Sequence, residues 1–218
     1  MSAIEAAKSN QDPSILSRSI VVITCSTRPG RIGHLIAKHV TSQLTSCLLG
    51  LDNRGLHISS IDLRSHPLPL LDEFGIPAKY PAANPTPHYT HEHSRAWSAE
   101  ILKHSAFIFI TPQYNWGYPA AIKNAMDYLF HEWTGKPTLV VSYGGHGGGK
   151  AAAQLVQVCH GLRMKVVERT VGYKINIEES SNTRESGAFS EERLEFWKRE
   201  NTDEELKERF EDLVELLN

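Results

Sequence analysis

Three short segments of this chain hold the residue types that bind a flat, phosphorylated ligand. The first, residues 26–33, reads Ser-Thr-Arg-Pro-Gly-Arg-Ile-Gly. It runs from an apolar β-branched stretch into helical periodicity, so unpaired N–H groups and the positive end of a helix dipole meet there and favour an anion. Ser26 and Thr27 add hydroxyl donors. Arg28 and Arg31 add guanidinium groups, each able to grip a phosphate through two parallel hydrogen bonds. A solvated turn with a serine cap is the competing reading of these residues. The first two glycines of a G-x-G-x-x-G fingerprint are absent, so a mononucleotide phosphate suits the turn better than a dinucleotide pyrophosphate.

The second segment, residues 111–119, reads Thr-Pro-Gln-Tyr-Asn-Trp-Gly-Tyr-Pro. Two prolines stiffen a loop that projects aromatic and amide groups. A heteroaromatic ring needs that combination, a π face to pack on and directional hydrogen bonds for its polar rim. The third segment, residues 142–150, reads Ser-Tyr-Gly-Gly-His-Gly-Gly-Gly-Lys. From Gly144 to Lys150 it spells G-x-x-x-x-G-K, but Ala151 stands where a nucleotide-hydrolysing loop needs Ser or Thr for magnesium. Nucleoside-triphosphate hydrolysis is therefore set aside. Glycines also let backbone N–H and C=O groups approach a ring edge closely.

The elements around these segments place all three on one side of the fold. Apolar or β-branched runs at residues 19–25, 57–63, 106–111, 137–143 and 165–170 predict five strands. Helical spacing covers 32–49, 90–104, 120–130 and 150–162, with Pro119 at a helix start. Such alternation predicts a parallel sheet covered on both faces, with ligands outside the carboxyl ends of the strands. Each of the three segments follows such a strand. From Ser190 onward the chain is charged and helical, with Thr202 as a cap followed by Glu205. Its Leu206, Phe210, Leu213 and Leu217 form an apolar stripe for the domain or for another subunit.

The chain has 218 residues and a formal charge of -2, which suits one α/β domain and gives no net attraction to nucleic acid or an anionic membrane. Three scattered cysteines, Cys25, Cys47 and Cys159, make no disulfide framework or zinc site and suit the cytoplasm. No apolar run approaches the roughly 20 residues that span a bilayer. Residues 1–17 lack a signal-peptide core and read as a flexible polar tail. His88, His91 and His93 lie in a long proline-rich loop without a rigid set of partner ligands, so they are expected to be solvated and no metal site is assigned. Trp97 is expected in the core. Trp116 and Tyr118 are expected over the ligand or at a subunit contact, and Lys123 and Asp127 as ligand-side or plain helix-surface charges.

At these residues the sequence resembles the NADPH-dependent FMN reductase family, over roughly residues 18–175. The resemblance rests on Ser26-x-Arg28 followed by Arg31, on Pro112-x-Tyr114-Asn115 followed by Pro119, Lys123-Asn124-Ala125 and Asp127, and on Ser142-x-Gly144. It implies a flavodoxin-like three-layer α/β sandwich with a five-stranded parallel sheet, and non-covalent FMN with NADPH or NADH as electron donor. The phosphate is then expected at Ser26, Arg28, Arg31, Ile32 and Gly33. The ring is expected beside Pro112, Gln113, Tyr114 and Asn115, with its pyrimidine edge at Ser142, Tyr143, Gly144 and Gly145. Arg31 and Gly33 stand where many relatives have Ser and Asn, so affinity for phosphate rests more on charge here.

The implied activity is hydride transfer from NAD(P)H through FMN to a quinone or similar small acceptor, such as free flavin or an azo compound, by ping-pong exchange. No catalytic side chain is assigned. A homodimer, or a tetramer built from it, is expected. A non-enzymatic, redox-sensing flavin adaptor is the alternative. The expected division is a tail at 1–17, an FMN domain at 18–175 and a charged helical extension at 176–218.

Overall fold

The computed structural model describes residues 18–50 and 55–218; the tail expected at 1–17 lies outside the described residues. The chain runs β1 (Arg18–Thr24), α1 (Gly33–Gly50), β2 (Leu56–Asp62), α2 (Glu92–Leu102), β3 (Ala106–Pro112), α3 (Ala120–Asp127) and β4 (Pro137–Gly144). It continues through α4 (Gly149–Gly161), β5 (Lys165–Val166), β6 (Val171–Lys174), α5 (Ile177–Ser186), α6 (Glu191–Arg199) and α7 (Thr202–Glu215). The sheet order is β2-β1-β3-β4-β5, with β6 also paired to β4 and every pairing parallel. This is the flavodoxin-like doubly wound order, and its reversal point lies between β1 and β3.

Strands buried on both faces read as continuous apolar runs, and β1 and β3 do. Ile20, Val22, Ile108, Ile110, Leu139 and Val141 point to one face, where α1 and α7 pack. Val21, Ile23, Phe107, Phe109 and Val140 point to the other, under α2, α3 and α4. Trp97 belongs to that second core, and its Nε1 donates to the Ala125 carbonyl at 2.8 Å. Trp133, fully buried, stacks edge-on against Phe107 with ring centroids 4.9 Å apart. Aromatic side chains of this size dominate a core's energetics.

Two details differ from the sequence expectations. The strand expected at 165–170 is two pieces, β5 and β6, because residues 167–170 leave the sheet before the chain rejoins β4 further along. The sheet therefore has six strands. Helix α7 is capped by Asn201 at φ 58 rather than by the Thr202 hydroxyl. Leu206, Phe210 and Leu213 are fully buried in the core they share with α1, and Leu217 packs at its edge. The apolar stripe thus packs on the chain's own domain. A buried Asp203 ties it down, accepting from the Tyr173 hydroxyl at 2.8 Å and contacting His39 Nε2 at 2.9 Å.

Candidate functional site

The segments after β1, β3 and β4 meet at the carboxyl edge of the sheet. They surround a cavity of about 240 Å³. From the first segment Arg28, Arg31 and Ile32 line it; from the second Pro112, Gln113 and Tyr114; from the third Tyr143, Gly144 and Gly145. Four of the expected residues do not line it. Ser26 and Gly33 are buried, Asn115 is exposed in its turn, and Ser142 is buried with its hydroxyl donating to the Gly147 carbonyl at 2.7 Å.

In the first turn Arg31 is already partnered. Its guanidinium makes a two-pronged ion pair with Asp62, at the end of β2, and donates to the Ser26 carbonyl at 2.7 Å. Burial pushes the Asp62 carboxyl up, but the Arg31 hydrogen bonds, the Arg64 N–H and the nearby positive charge outweigh it and hold the group below its ordinary value. Arg28 is exposed and makes no ion pair among the described residues; its guanidinium lies 4.6 Å from the centre of the Tyr114 ring. Gly33 opens α1 beside the Tyr143 hydroxyl. A Cβ there would collide with Ser26 Oγ and would stand 2.6 Å from Tyr143 Oη. Ser26 Oγ is buried and forms no hydrogen bond of good geometry. Burial keeps the Tyr143 hydroxyl protonated well above its ordinary range.

The second turn is closed by its backbone. Tyr114 N–H donates to the Gly117 carbonyl at 2.8 Å and Gly117 N–H to the Tyr114 carbonyl at 2.9 Å. The residues between, Asn115 and Trp116, have φ of 45° and 72°. The left-handed region disfavours a side chain such as that of Trp116 by about 1–2 kcal/mol. Trp116 is 68% exposed and lies 5.4 Å from Lys150 Nζ. Burial pushes the Tyr114 hydroxyl up, against the opposing charge of Arg28 and Arg31.

Gln113 closes the third segment. Its Oε1 accepts from the Lys150 N–H at 3.1 Å and the Ala151 N–H at 3.4 Å. The start of α4, where a nucleotide-hydrolysing loop would receive a phosphate, thus holds the chain's own carboxamide. The glycines of this segment divide by role. Gly147, at φ 80°, packs on Gly172, whose carbonyl a Cβ would approach to 3.2 Å. Gly145 has nothing within 4 Å of its Cβ position and leaves open space towards the cavity.

The remaining signature residues anchor the long loop. Asn124 accepts from the Leu71 N–H at 2.9 Å and donates to the Pro69 carbonyl at 2.6 Å. Lys123 and Asp127 form a helix-surface ion pair at 2.5 Å. His91 and His93 stack at 5.1 Å between ring centroids, and His93 contacts Asp72 at 3.0 Å, so this pair is half-buried and hydrogen-bonded rather than solvated. Glu73 accepts from the N–H groups of Thr90 and His91, at 3.0 and 3.1 Å, at the entry to α2.

One side of the cavity was not anticipated from the sequence. Ile175, Asn176, Ile177, Ser180 and Arg184, from the end of β6 and from α5, line it too. The only available signal was the Asn176–Glu179 spacing of a helix-opening capping box, which marks a helix but not what that helix faces.

A class follows from this geometry: a doubly wound sheet with a cationic turn, an aromatic turn and a glycine turn at its switch point, a mononucleotide site. Comparison with known proteins makes it specific. Residues 18–175 match the family model described as NADPH-dependent FMN reductase. The chain is 44% identical over 148 residues to an NAD(P)H-dependent FMN reductase of Saccharomyces cerevisiae, covering 67% of this chain and 75% of that one. It is 32% identical over 203 residues to an NAD(P)H-dependent FMN reductase of a Nectria species, covering 91% and 96%. In fold it is similar to a flavoenzyme NAD(P)H:(acceptor) oxidoreductase from Paracoccus denitrificans, with a TM-score of 0.61 at 19% identity over 92% of this chain and 97% of that one.

The chain belongs to the NADPH-dependent FMN reductase family. It is an FMN-dependent oxidoreductase that draws its electrons from NAD(P)H. The residues present fit that cofactor: an arginine without an ion-pair partner among the described residues, an aromatic face and an open glycine edge line one cavity, and the turn that supplies the arginine also holds the buried Ser26 hydroxyl, which makes no hydrogen bond of good geometry.

Proposed function

We propose that FMN lies across the three turns and that both electrons pass to a quinone, or a similar small acceptor such as free flavin or an azo compound, by ping-pong exchange at one shared surface. The observation that supports this placement is the convergence of three chemically distinct turns on one cavity at the switch point of the sheet. When bound, FMN supplies hydride acceptance and two-electron delivery, and the protein's part is to bind, orient and tune it.

In this reading the opening turn of α1 and Arg28 hold the phosphate, with Ser26, Arg31, Ile32 and Gly33 shaping the turn around it. Pro112, Gln113, Tyr114 and Asn115 form the aromatic–amide side. Tyr143, Gly144 and Gly145 back the polar rim, and Ser142 acts from behind by holding the glycine turn in place. Gly145 suits close approach because no side chain intervenes. No side chain is required to move a proton in the first half-reaction, so none is assigned as catalytic. A flat acceptor suits a site already shaped for the nicotinamide ring. The same reading makes the protein a cytoplasmic homodimer, or a tetramer built from it, and sedimentation tests that part.

Steady-state NADPH oxidation with menadione tests the function. Sustained turnover that alternates between the two substrates, seen as parallel double-reciprocal lines, is expected. A single round of flavin reduction that then stops would point to a non-enzymatic redox-sensing adaptor instead.

A further inference from the structure

Helix α5 lies beyond the residues that the family model matches, and its last turn reaches the phosphate turn. The geometry points to Arg184 as a second arginine that grips the phosphate of FMN, from where α5 meets the turn at Gly30. The inference rests on the FMN placement above and adds a ligand to it.

Arg184 lines the same cavity as Arg28 and Arg31. A Cβ built on Gly30 would stand 3.2 Å from Arg184 Cδ and 3.4 Å from its Nε, so the guanidinium arm lies against the turn. Arg184 is exposed and makes no hydrogen bond or ion pair among the described residues. Arg31 is paired with Asp62, and Arg28 makes no ion pair among the described residues. Among the described residues no carboxylate lines this cavity. Two guanidinium groups without an ion-pair partner among the described residues therefore line one cavity beside the opening of α1, which is itself positive, and such a set of charges favours an anion. The buried Ser26 hydroxyl lies in the same turn, close to the Tyr143 hydroxyl, and forms no hydrogen bond of good geometry among the described residues.

The position of Arg184 is fixed from behind. Asn176 accepts from the Glu179 N–H at 2.8 Å while the Glu179 carboxylate accepts from the Asn176 N–H at 3.0 Å. Glu179 is also ion-paired with Arg193 on α6. At the other end Gly187, at φ 73°, closes the helix by donating to the Thr183 carbonyl at 2.9 Å. A planar guanidinium on such an anchored helix loses little freedom when it engages a phosphate.

Flavin fluorescence quenching on the full chain tests this, with FMN and with riboflavin, which has the ring but no phosphate. Arg184→Gln is expected to bind FMN roughly tenfold more weakly, as loss of a charge-assisted hydrogen bond implies, and riboflavin as tightly as the wild type. Arg184→Lys is expected to fall between, since an ammonium retains charge without the two-pronged grip. Equal FMN affinity in wild type and Arg184→Gln, or parallel losses for both flavins, would overturn the assignment. Failure of the wild-type chain to bind FMN at all would overturn the placement beneath it, and this assignment with it.

Discussion

The turns after β1 and β3 leave neighbouring buried strands and face the same cavity, yet they are held by opposite means. The first is held by side chains: Arg31 against Asp62, and Gly33 against Ser26 and Tyr143. The second is held by its own backbone, a tight Tyr114–Gly117 hairpin with Asn115 and Trp116 at positive φ. The difference decides what each turn has left over for a ligand. Charge compensation inside the first turn leaves Arg28 as its cation without an ion pair among the described residues. In the second, the Gln113 carbonyl oxygen is spent on the start of α4, and what remains is its amide N–H, the Tyr114 ring and a strained, exposed Trp116. Electrostatic attraction is thus expected at one end of the site and shape at the other.

The largest effect should come from breaking the ion pair. Asp62→Ala leaves Arg31, whose side chain is only 8% exposed, without its counter-ion. A loss of about 3 kcal/mol in urea unfolding is expected, near the lower end for a broken buried pair. The pH dependence follows the same carboxylate. Its folded pKa is held below the ordinary value, so its stabilisation is present at neutral pH and is lost as pH falls through the carboxylate range towards that lowered pKa. Unfolding curves of Asp62→Asn should therefore be flatter between about pH 5 and 3 than those of the wild type. Unchanged stability in both variants would mean that Arg31 is free to serve the ligand.

Gly33→Val should cost about 2 kcal/mol, as overpacking does, and should weaken FMN binding because Ser26 and Tyr143 must move. The smallest effect is expected in the second turn. Trp116→Gly relieves the left-handed strain but gives up the contact with Lys150, two opposing terms of about 1 kcal/mol each. Its melting temperature should stay close to the wild type while acceptor kinetics change. A strong loss of stability in Trp116→Gly would reverse the contrast between the two turns.

Much of the fold was legible because its signals are local. The runs Ile20–Ile23 and Phe107–Ile110 are apolar at every position, as strands buried on both faces of a sheet are. The same locality made the three turns readable as strand ends. What escaped depended on distance in the chain. Nothing around Arg31 announces Asp62, thirty-one residues away, whose carboxylate pairs with this expected phosphate ligand. Nothing around Gln113 announces the start of α4. Arg184 sits in a polar helix whose composition resembles any solvated surface, and only the return of the chain after β6 brings it to Gly30. The break between β5 and β6 was hidden because Lys165–Val166 and Val171–Lys174 both have strand-like residues and the interruption between them is set by pairing with β4.

The account stands most directly on where the cofactor lies, and a crystal structure of the FMN-loaded protein measures that. The phosphate should be found at the opening turn of α1 within hydrogen-bonding reach of Arg28, and the ring between Tyr114 and Gly145. FMN located elsewhere, or a phosphate contacting neither that turn nor an arginine, would contradict the account.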